Sequence, residues 1–375
     1  MKNRSLALDF WKFIASIIIS LLHYEWHIVP QGYLSVELFF LIAGYLIYSR
    51  RNHYQKQRMC TIFLSKITSI YTYWIIIVTL GVFFCLFTGK YCWPLKTWAI
   101  MITKMLLFIP YLLETKITSI ESFWLPFGQL WYIPVWLFVS LVAIAIVRIK
   151  NARIVKYSIA LFAFLFLAIV YNATNFHGLN ITVEQSIGMV PFGVVRGLQD
   201  IFIGLLLGII SEDLKLWVKS TDITKNGKLF FTIIELGCIL VLFMIWTARN
   251  IAYNIDYLFI AVFSVILLMN EIQLDYISTF LNTENKYNNF YKLSTPIYFY
   301  HFVIIQLMST IGLLELNIYR IILYLVLVMV LSIVGLWIEK GVRTTLTRIC
   351  HSLLMPPPPQ QDIIHQSNLQ SQITK

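Results

Sequence analysis

Ten long stretches of mostly apolar residues follow one another along the chain, separated by shorter polar segments. About 20 consecutive apolar residues are needed for a helix to cross a bilayer, and a helix satisfies the backbone hydrogen bonds that lipid cannot. The pattern therefore predicts an all-α fold, a polytopic membrane helix bundle of about ten transmembrane helices. The predicted spans are residues 6–24, 33–48, 70–88, 130–148, 156–172, 192–211, 229–248, 254–271, 295–314 and 318–339.

Polar residues interrupt the first apolar stretch at helical spacing. They recur at steps of three or four residues, so at about 100° per residue they share one side of a helix. We call this set the polar stripe; it comprises Asp9, Lys12, Ser16, Ser20, His23 and His27. Ionisable groups in hydrocarbon cost on the order of 3 kcal/mol each on insertion scales and usually face a protein interior or a wet cavity. We expect the polar stripe to line a site inside the bundle.

An alternative interpretation of the polar stripe treats its charged members separately. Lys12 lies near the expected cytoplasmic end, where a lysine can reach the lipid headgroups and pair with a neighbour such as Asp9. His23, near the outer end, would then be a hydrogen-bonded histidine at the interface.

The second apolar stretch, GYLSVELFFLIAGYLIY, carries one acidic residue, Glu37, near its outer end. Its expected depth matches that of His23, and a carboxylate beside an imidazole orients the ring and favours its protonated form. We therefore expect Glu37 to contact His23; the alternative is that Glu37 faces the outer headgroups. Gly44 in the same stretch is expected to allow a close approach between helices.

Later stretches add further candidates. Trp131 and Tyr132 open the span 130–148, where they form either an aromatic belt at the outer interface or a platform on which a sugar stacks. Arg196 and Asp200, four residues apart, can form a structural ion pair, or Arg196 can bind substrate. His301 is expected near the inner third of the membrane, at the depth of Lys12, as a functional group or a satisfied core histidine.

Composition and charge agree with a membrane protein and set its orientation. Hydrophobic residues make up 59% of the chain and charged residues 13%, which excludes an ordinary soluble domain. With the amino terminus inside, 21 Lys and Arg fall in cytoplasmic segments and 5 in outer segments, as the positive-inside rule requires. Both termini are therefore expected to be cytoplasmic. This topology accounts for most of the net charge of +11, so no nucleic-acid partner is needed.

The remaining segments carry less chemistry. The outer connection 89–129 contains an interrupted apolar segment, 96–113, which is expected to lie at or dip into the interface. Residues 1–348 form the predicted membrane domain, and the segment 349–375, with a run of four prolines, is expected to be a disordered cytoplasmic tail. The five scattered cysteines have no spacing suited to zinc or a disulfide framework, so we expect no metal.

Four stretches, in this order, resemble the integral-membrane acyltransferase family (acyltransferase family three). LDFWKFIASIIISLLH is similar to the family pattern of a basic residue and a histidine with ten residues between them, here Lys12 and His23. GYLSVELFFLIAGYLI resembles the family's second helix. LWYIPVW and STPIYFYHFVI resemble its tryptophan–tyrosine helix and its late serine–tyrosine–histidine helix. The resemblance covers about residues 4–340.

The chain departs from the family pattern at two places. The first basic position is commonly Arg in the family and is Lys12 here, which keeps the charge but loses the planar fork. The family often has two arginines three apart before a Tyr-Pro pair; here Lys66 and Tyr71 fit, whereas Ser69 and Thr72 replace the second Arg and the Pro.

The resemblance implies transfer of an acyl group, with acetyl expected, from cytosolic acyl-CoA to a hydroxyl of an envelope or exported glycan, in the plasma or inner membrane. His23 would act as general base or briefly carry the acyl group. The expected partners are the bilayer and a glycan or lipid-linked saccharide; the oligomeric state is left open. The candidates are catalytic His23 and Glu37, donor-binding Lys12, Lys66 and His301, and acceptor-binding Trp131, Tyr132 and Arg196.

Two functions compete with this one. A transporter or flippase of an envelope precursor also needs ionisable residues inside the membrane. A non-catalytic relative that acts as an assembly partner would tolerate the departures at Lys12 and Ser69. Covalently acylated product that depends on acyl-CoA distinguishes the enzyme from both.

Overall fold

The computed structural model describes residues 5–25, 27–88, 94–108, 128–174, 186–187, 190–221, 223–249, 255–284 and 286–354. In these ranges the chain is helical apart from connections and one two-stranded antiparallel hairpin, β1 (Ser186–Ile187) with β2 (Val190–Pro191). The helices are α1 (Leu6–Tyr24), α2 (Ser35–Ser49), α3 (Arg51–Lys56), α4 (Met59–Phe87), α5 (Leu95–Leu106), α6 (Tyr132–Val147), α7 (Ala152–Ala173), α8 (Phe192–Ser220), α9 (Lys225–Thr247), α10 (Ile255–Ile272), α11 (Tyr276–Leu281), α12 (Ser294–Thr310) and α13 (Ile318–Leu354), with 3-10 turns at Gly32–Leu34, Gly128–Trp131 and Lys286–Leu293.

The predicted class is confirmed: the chain is an all-α polytopic helix bundle. Eight of its described helical segments are long and apolar enough to cross a membrane. The other two predicted spans correspond to α6 and α12, which have 16 and 17 residues and are therefore slightly shorter than a full crossing. The structure describes α13 as far as Leu354, and the rest of the predicted tail lies outside the described residues.

Several helices extend beyond the apolar core that hydropathy detects. Helix α4 begins at Met59, not at residue 70, and α8 ends at Ser220, not at residue 211. Neither extension contains Gly or Pro, so nothing stops the helix where it leaves the apolar zone. Lys66 consequently lies on helix α4, and the helix fixes the direction in which its side chain leaves the backbone.

Helices α2 and α8 pack against each other at the centre of the bundle. Gly44 and Gly204 face each other at the crossing: a Cβ on Gly204 would overlap the Leu41 carbonyl oxygen, and a Cβ on Gly44 would overlap the Ile201 carbonyl oxygen. Gly208 lies against the Tyr48 side chain. Small residues that admit this backbone contact are a common means of helix association in membranes, where burial from water supplies no drive.

Helix α5 packs along the outer half of α4 and reaches towards its middle. Trp74 Nε1 donates to the Met105 carbonyl at 3.1 Å, and the Tyr71 hydroxyl donates to the Leu106 carbonyl at 3.0 Å. These contacts place the end of α5 about 20 Å below the outer end of α4, at 1.5 Å per residue. The segment expected to lie at or dip into the interface thus descends beside α4; its later part, 109–113, lies outside the described residues.

Replacing Gly204 with Ala tests the importance of the α2–α8 contact. The added methyl must separate the two backbones, and overpacking of this kind typically costs about 1–3 kcal/mol. We expect Gly204→Ala to lower the midpoint of thermal unfolding in detergent. Gly237→Ala on α9 is the matched control, because no atom lies within 4 Å of its added methyl and Ala favours a helix. Equal midpoints for the two variants would contradict the assigned contact.

Candidate active site

Helices α1 and α12 lie side by side and run in the same direction. The Ser16 hydroxyl contacts both the hydroxyl and the carbonyl oxygen of Ser294, at 2.8 and 2.9 Å, and Ser294 Oγ donates to the Lys12 carbonyl at 2.9 Å. Seven residues further along both helices, His23 Nδ1 lies 2.8 Å from His301 Nε2. Both pairs are separated by 278 positions in the chain, so seven residues advance equally along each helix. The two helices are therefore parallel and in constant register.

This register corrects the expected depth of His301, which lies level with His23 rather than with Lys12. The expectation assumed that α12 begins at the inner edge of the bundle, as α1 does. The 3-10 segment Lys286–Leu293 occupies that level instead, with Tyr291 packed against Phe10 and Phe13 of α1. Helix α12 therefore begins about three turns deeper than the sequence suggested, because His301 lies level with His23 rather than with Lys12.

The hydrogen bonds of the histidine pair determine which nitrogen carries each proton. His301 Nδ1 lies 3.1 Å from the Ile297 carbonyl oxygen, which can only accept, so this nitrogen carries the hydrogen. In a neutral ring the other nitrogen, His301 Nε2, is then an acceptor and must receive its bond from His23 Nδ1. Within the part of the chain that the structure describes, no hydrogen bond engages His23 Nε2, so its lone pair is available to act as a general base.

The same pair differs in accessibility. His301 is 0% exposed, whereas His23 is only partly buried. The two rings are nearly parallel, with an interplanar angle of 12° and centroids 5.0 Å apart, and Phe302 lies edge-on to His23 at 5.7 Å. His301 and Phe302 thus hold the plane of His23 while leaving His23 the more accessible ring of the two.

The predicted contact between Glu37 and His23 is wrong. Glu37 is 0% exposed and forms an ion pair with Nε and an Nη atom of Arg196, which is also buried. Arg196 was expected to pair with Asp200 or bind substrate, but its hydrogen bonds go to Glu37, and Asp200 accepts from Gln199 Nε2 at 2.8 Å. The sequence predicts a close approach at Gly44 but not which helix makes it; the α2–α8 crossing brings Glu37 against α8.

The structure separates Trp131 from Tyr132, which were expected to act together at the outer interface. The Trp131 ring packs on Gly193, and its centroid lies 5.6 Å from the Arg196 guanidinium carbon. Tyr132 is buried instead in an aromatic cluster, 4.7 Å from Phe40 and 5.5 Å from Tyr298 between ring centroids. Tyr132 is therefore an interior residue of the site.

A cavity of about 220 Å³ lies below the histidine pair, between α1, α2, α4, α6 and α12. Its polar lining includes Lys12 and Ser294; its aromatic lining includes Phe39, Tyr132, Trp136 and Tyr298. Tyr298 connects the two parts of the site, because its ring also lies 6.1 Å from that of His301. The cavity and the histidine pair thus occupy adjacent levels along α12.

A basic residue lines this cavity, and a second contacts one of its aromatic walls. The Lys66 ammonium group sits over the ring of Trp136 at 4.4 Å, and Arg50 lies close enough to Lys66 for their charges to interact. Lys12 lines the cavity and forms an ion pair with Asp9, one turn below on the same helix. Of the two lysines proposed from sequence, Lys12 lines the cavity, whereas Lys66 reaches it only through its contact with Trp136.

The polar stripe points into the protein as expected, but much of it is closed. Ser16 bonds to α12, and the Ser20 hydroxyl lies 2.6 Å from the Tyr324 hydroxyl of α13. Only Lys12 lines the cavity, and only His23 combines partial exposure with a place beside His301. His27 lies beyond the end of α1 and is exposed. Most of the polar stripe is thus engaged in hydrogen bonds between helices. Lys12 and His23 are the two members that remain accessible in the site.

Sequence reasoning missed two residues that build the site. Ser294 immediately precedes the predicted span 295–314, and its side chain joins α12 to α1. Tyr298 was one of several aromatic residues in STPIYFYH, with nothing to single it out. Among the described residues, no group of three or more His, Cys, Asp or Glu side chains is arranged to hold a metal ion.

Comparison with known proteins gives one result. A family model described as an acyltransferase domain matches residues 5–337, which is nearly all of the membrane bundle and includes every candidate residue above. No curated protein and no solved structure matches the chain. The family match and the helical architecture agree, and the chain therefore belongs to acyltransferase family 3, whose members are membrane acyltransferases.

Proposed function

We propose that the protein transfers a short acyl group, acetyl in the first instance, from cytosolic acyl-CoA to a hydroxyl of an envelope or exported glycan. The observation that carries this proposal is the hydrogen-bond chain from the Ile297 carbonyl through His301 to His23, which leaves the lone pair of His23 Nε2 free. Family membership supports acyl transfer in general; the donor, the acceptor and the placement in the plasma or inner membrane are our proposal.

In the proposed reaction, His23 Nε2 accepts the proton of the acceptor hydroxyl as its oxygen attacks the thioester carbonyl. A carbon–oxygen bond forms, the carbon–sulfur bond breaks, and the departing thiolate takes the proton from Nε2. The products are an ester and free coenzyme A. His301 holds the imidazole in the tautomer that this step requires, which is the role that the buried carboxylate plays in a serine–histidine–aspartate triad.

The cavity below the histidines is suited to the end of the donor that carries the acyl group. Lys12 lines it, and Lys66, with Arg50 nearby, lies over its Trp136 wall; we propose that the phosphates of acyl-CoA approach these cations from the cytoplasm. Its apolar walls suit the pantetheine arm. Tyr298 and Tyr132 end the cavity one turn of α12 below His301, which favours a small acyl group over a long one.

The acceptor is proposed to arrive from the outer side. His23 is near the outer end of α1 and is partly exposed. Trp131 and Arg196 pack against each other, and Glu37 neutralises the charge of Arg196. These side chains therefore have few contacts available for a sugar. We therefore assign acceptor contacts to the surroundings of His23 and give Glu37 and Arg196 a structural role in joining α2 to α8.

Removing the base tests the core of the proposal. We expect His23→Ala to lower transfer of labelled acetyl from acetyl-CoA by about 100-fold or more, since general-base catalysis contributes at least that much. The assay uses purified protein in liposomes and polysaccharide from a strain that lacks the gene. His27→Ala, which alters an exposed histidine beyond the same helix, should retain normal activity. Normal transfer by a folded His23→Ala protein would refute the assignment.

Replacing His301 tests its positioning role. Without its acceptor nitrogen, His23 is free to present a protonated nitrogen to the hydroxyl, so we expect His301→Ala to lower kcat by about tenfold or more. KM for acetyl-CoA should change little. His301→Gln restores an acceptor oxygen and should recover part of kcat. A His301→Ala protein whose loss lies entirely in KM would instead support a donor-binding role.

Lys66 tests the donor side. Its proposed contact with a phosphate is made equally in the ground state and the transition state, so its loss should raise KM and leave kcat nearly unchanged. We expect Lys66→Gln to raise KM for acetyl-CoA on the order of tenfold, the value of one charge-assisted hydrogen bond. Lys56→Gln removes an exposed charge from α3 as a control. Equal KM values for the two variants would place the donor elsewhere.

A further inference from the structure

A second, larger cavity lies at the cytoplasmic ends of α2, α6, α7 and α8, with α3 along one side. Its volume is about 780 Å³, and it lies far from the histidine pair. We call it the basic cavity because five cationic side chains line it: Arg51, Lys150, Lys156, Lys215 and Lys219. Two acidic residues, Glu212 and Asp213, also line it, so the lining keeps a net positive charge of three.

The charges of the basic cavity are only partly neutralised from within. Arg51 makes two hydrogen bonds to Glu212, at 2.7 and 3.0 Å, and Lys156 lies 3.9 Å from Asp213. Lys150 and Lys219 are exposed, and no ion pair to either is present among the residues that the structure describes. These two lysines face the cavity with their charge available to a ligand.

The edge of the basic cavity is apolar and exposed. Leu216, which lines it, is 67% exposed, and Trp217 beside it is 49% exposed. On α7, Ile154 and Tyr157 project outward next to Val155 and Lys156 of the lining. Both helices belong to segments long and apolar enough to span the membrane. An exposed tryptophan and tyrosine at the end of such helices mark the level of the lipid headgroups.

The basic cavity is separate from the cavity that holds the donor in the proposed reaction. The donor cavity is formed by α1, α4 and α12 together with the face of α2 that includes Phe39 and Leu46. The basic cavity uses none of those three helices, and its α2 residue, Tyr48, points about 180° away from Phe39. A donor nucleotide bound here would have the whole thickness of α2 between its thioester and His23.

We propose that the basic cavity binds the phosphate headgroup of an anionic phospholipid from the cytoplasmic leaflet. Lysine ammonium groups act as point charges for phosphate, and basic pockets between membrane helices on the cytoplasmic side suit such headgroups. The acyl chains of the lipid lie along the exposed apolar surfaces of α7 and α8. This site is independent of the acyl-transfer reaction and does not rest on it.

The test measures lipid binding to the purified full chain by native mass spectrometry, comparing phosphatidylglycerol with phosphatidylcholine of the same acyl chains. We expect the anionic lipid to bind more tightly. Each basic residue near a headgroup contributes roughly fivefold in affinity, so Lys150→Gln with Lys219→Gln should weaken phosphatidylglycerol binding on the order of tenfold. Lys225→Gln with Lys340→Gln removes the same charge from two other exposed cytoplasmic positions and should change it by less than about twofold.

Several results would overturn the proposal. Equal affinities for the two lipids would mean that the protein does not recognise the anionic headgroup. Equal losses in the two double variants would mean that basic residues attract anionic lipid in general, without a specific site. Displacement of the lipid by glycerol 3-phosphate would mean that a soluble phosphate suffices. Displacement by coenzyme A, with a raised KM for acetyl-CoA in the first double variant, would make this the donor's nucleotide site. Matching unfolding midpoints for both double variants confirm that folding is unaffected.

Discussion

The site depends on a single junction, where the hydroxyl groups of Ser16 and Ser294 meet beside the Lys12 carbonyl. Ser16 is 0% exposed and Ser294 is 6% exposed, so each hydroxyl would cost free energy if it lost its partners. The junction therefore fixes the register of α1 against α12. Sliding α12 by one turn would move His301 about 5.4 Å and break its 2.8 Å contact with His23. Two serines seven residues below the histidines thus hold the histidine pair together.

A second constraint acts on the other side of α1 and explains why Glu37 does not serve His23. The glycines at the α2–α8 crossing bring the two backbones into contact, and Glu37 is then carried onto Arg196. An unpaired buried guanidinium costs more free energy than an unpaired buried imidazole, because an imidazole can remain neutral while an arginine cannot. The carboxylate therefore goes to Arg196, and His23 takes a neutral partner from α12.

The sequence predicts a good part of this arrangement. Hydropathy identifies the helices, and spacing alone places the polar stripe inside the bundle and selects Lys12 and His23. A further signal was present: Ser16–His23 and Ser294–His301 have the same spacing of seven residues, on two helices that both begin at the inner side. Equal spacing predicts that two parallel helices can pair at both positions. Equal spacing does not predict that the two helices are adjacent. Nor does it predict that the 3-10 segment before α12 shifts this helix so that Ser294 lies level with Ser16.

The third group of the hydrogen-bond chain, the Ile297 carbonyl, is neutral, whereas a catalytic triad has a carboxylate there. This difference has consequences for the chemistry. The Ile297 carbonyl belongs to the same helix as His301, four residues earlier, so the tautomer is set locally and without placing a charge in the bundle. When His23 takes the acceptor proton in the proposed reaction, the group hydrogen-bonded behind it is the neutral His301, and no carboxylate among the described residues contacts the pair. The positive charge on His23 must then be balanced by the negative charge that develops on the thioester during attack, a few ångströms away. In a medium of low dielectric constant this mutual attraction is stronger than it would be in water at the same distance. In the proposed reaction His23 therefore gains basicity as the thioester comes under attack, which ties proton transfer to the presence of the donor.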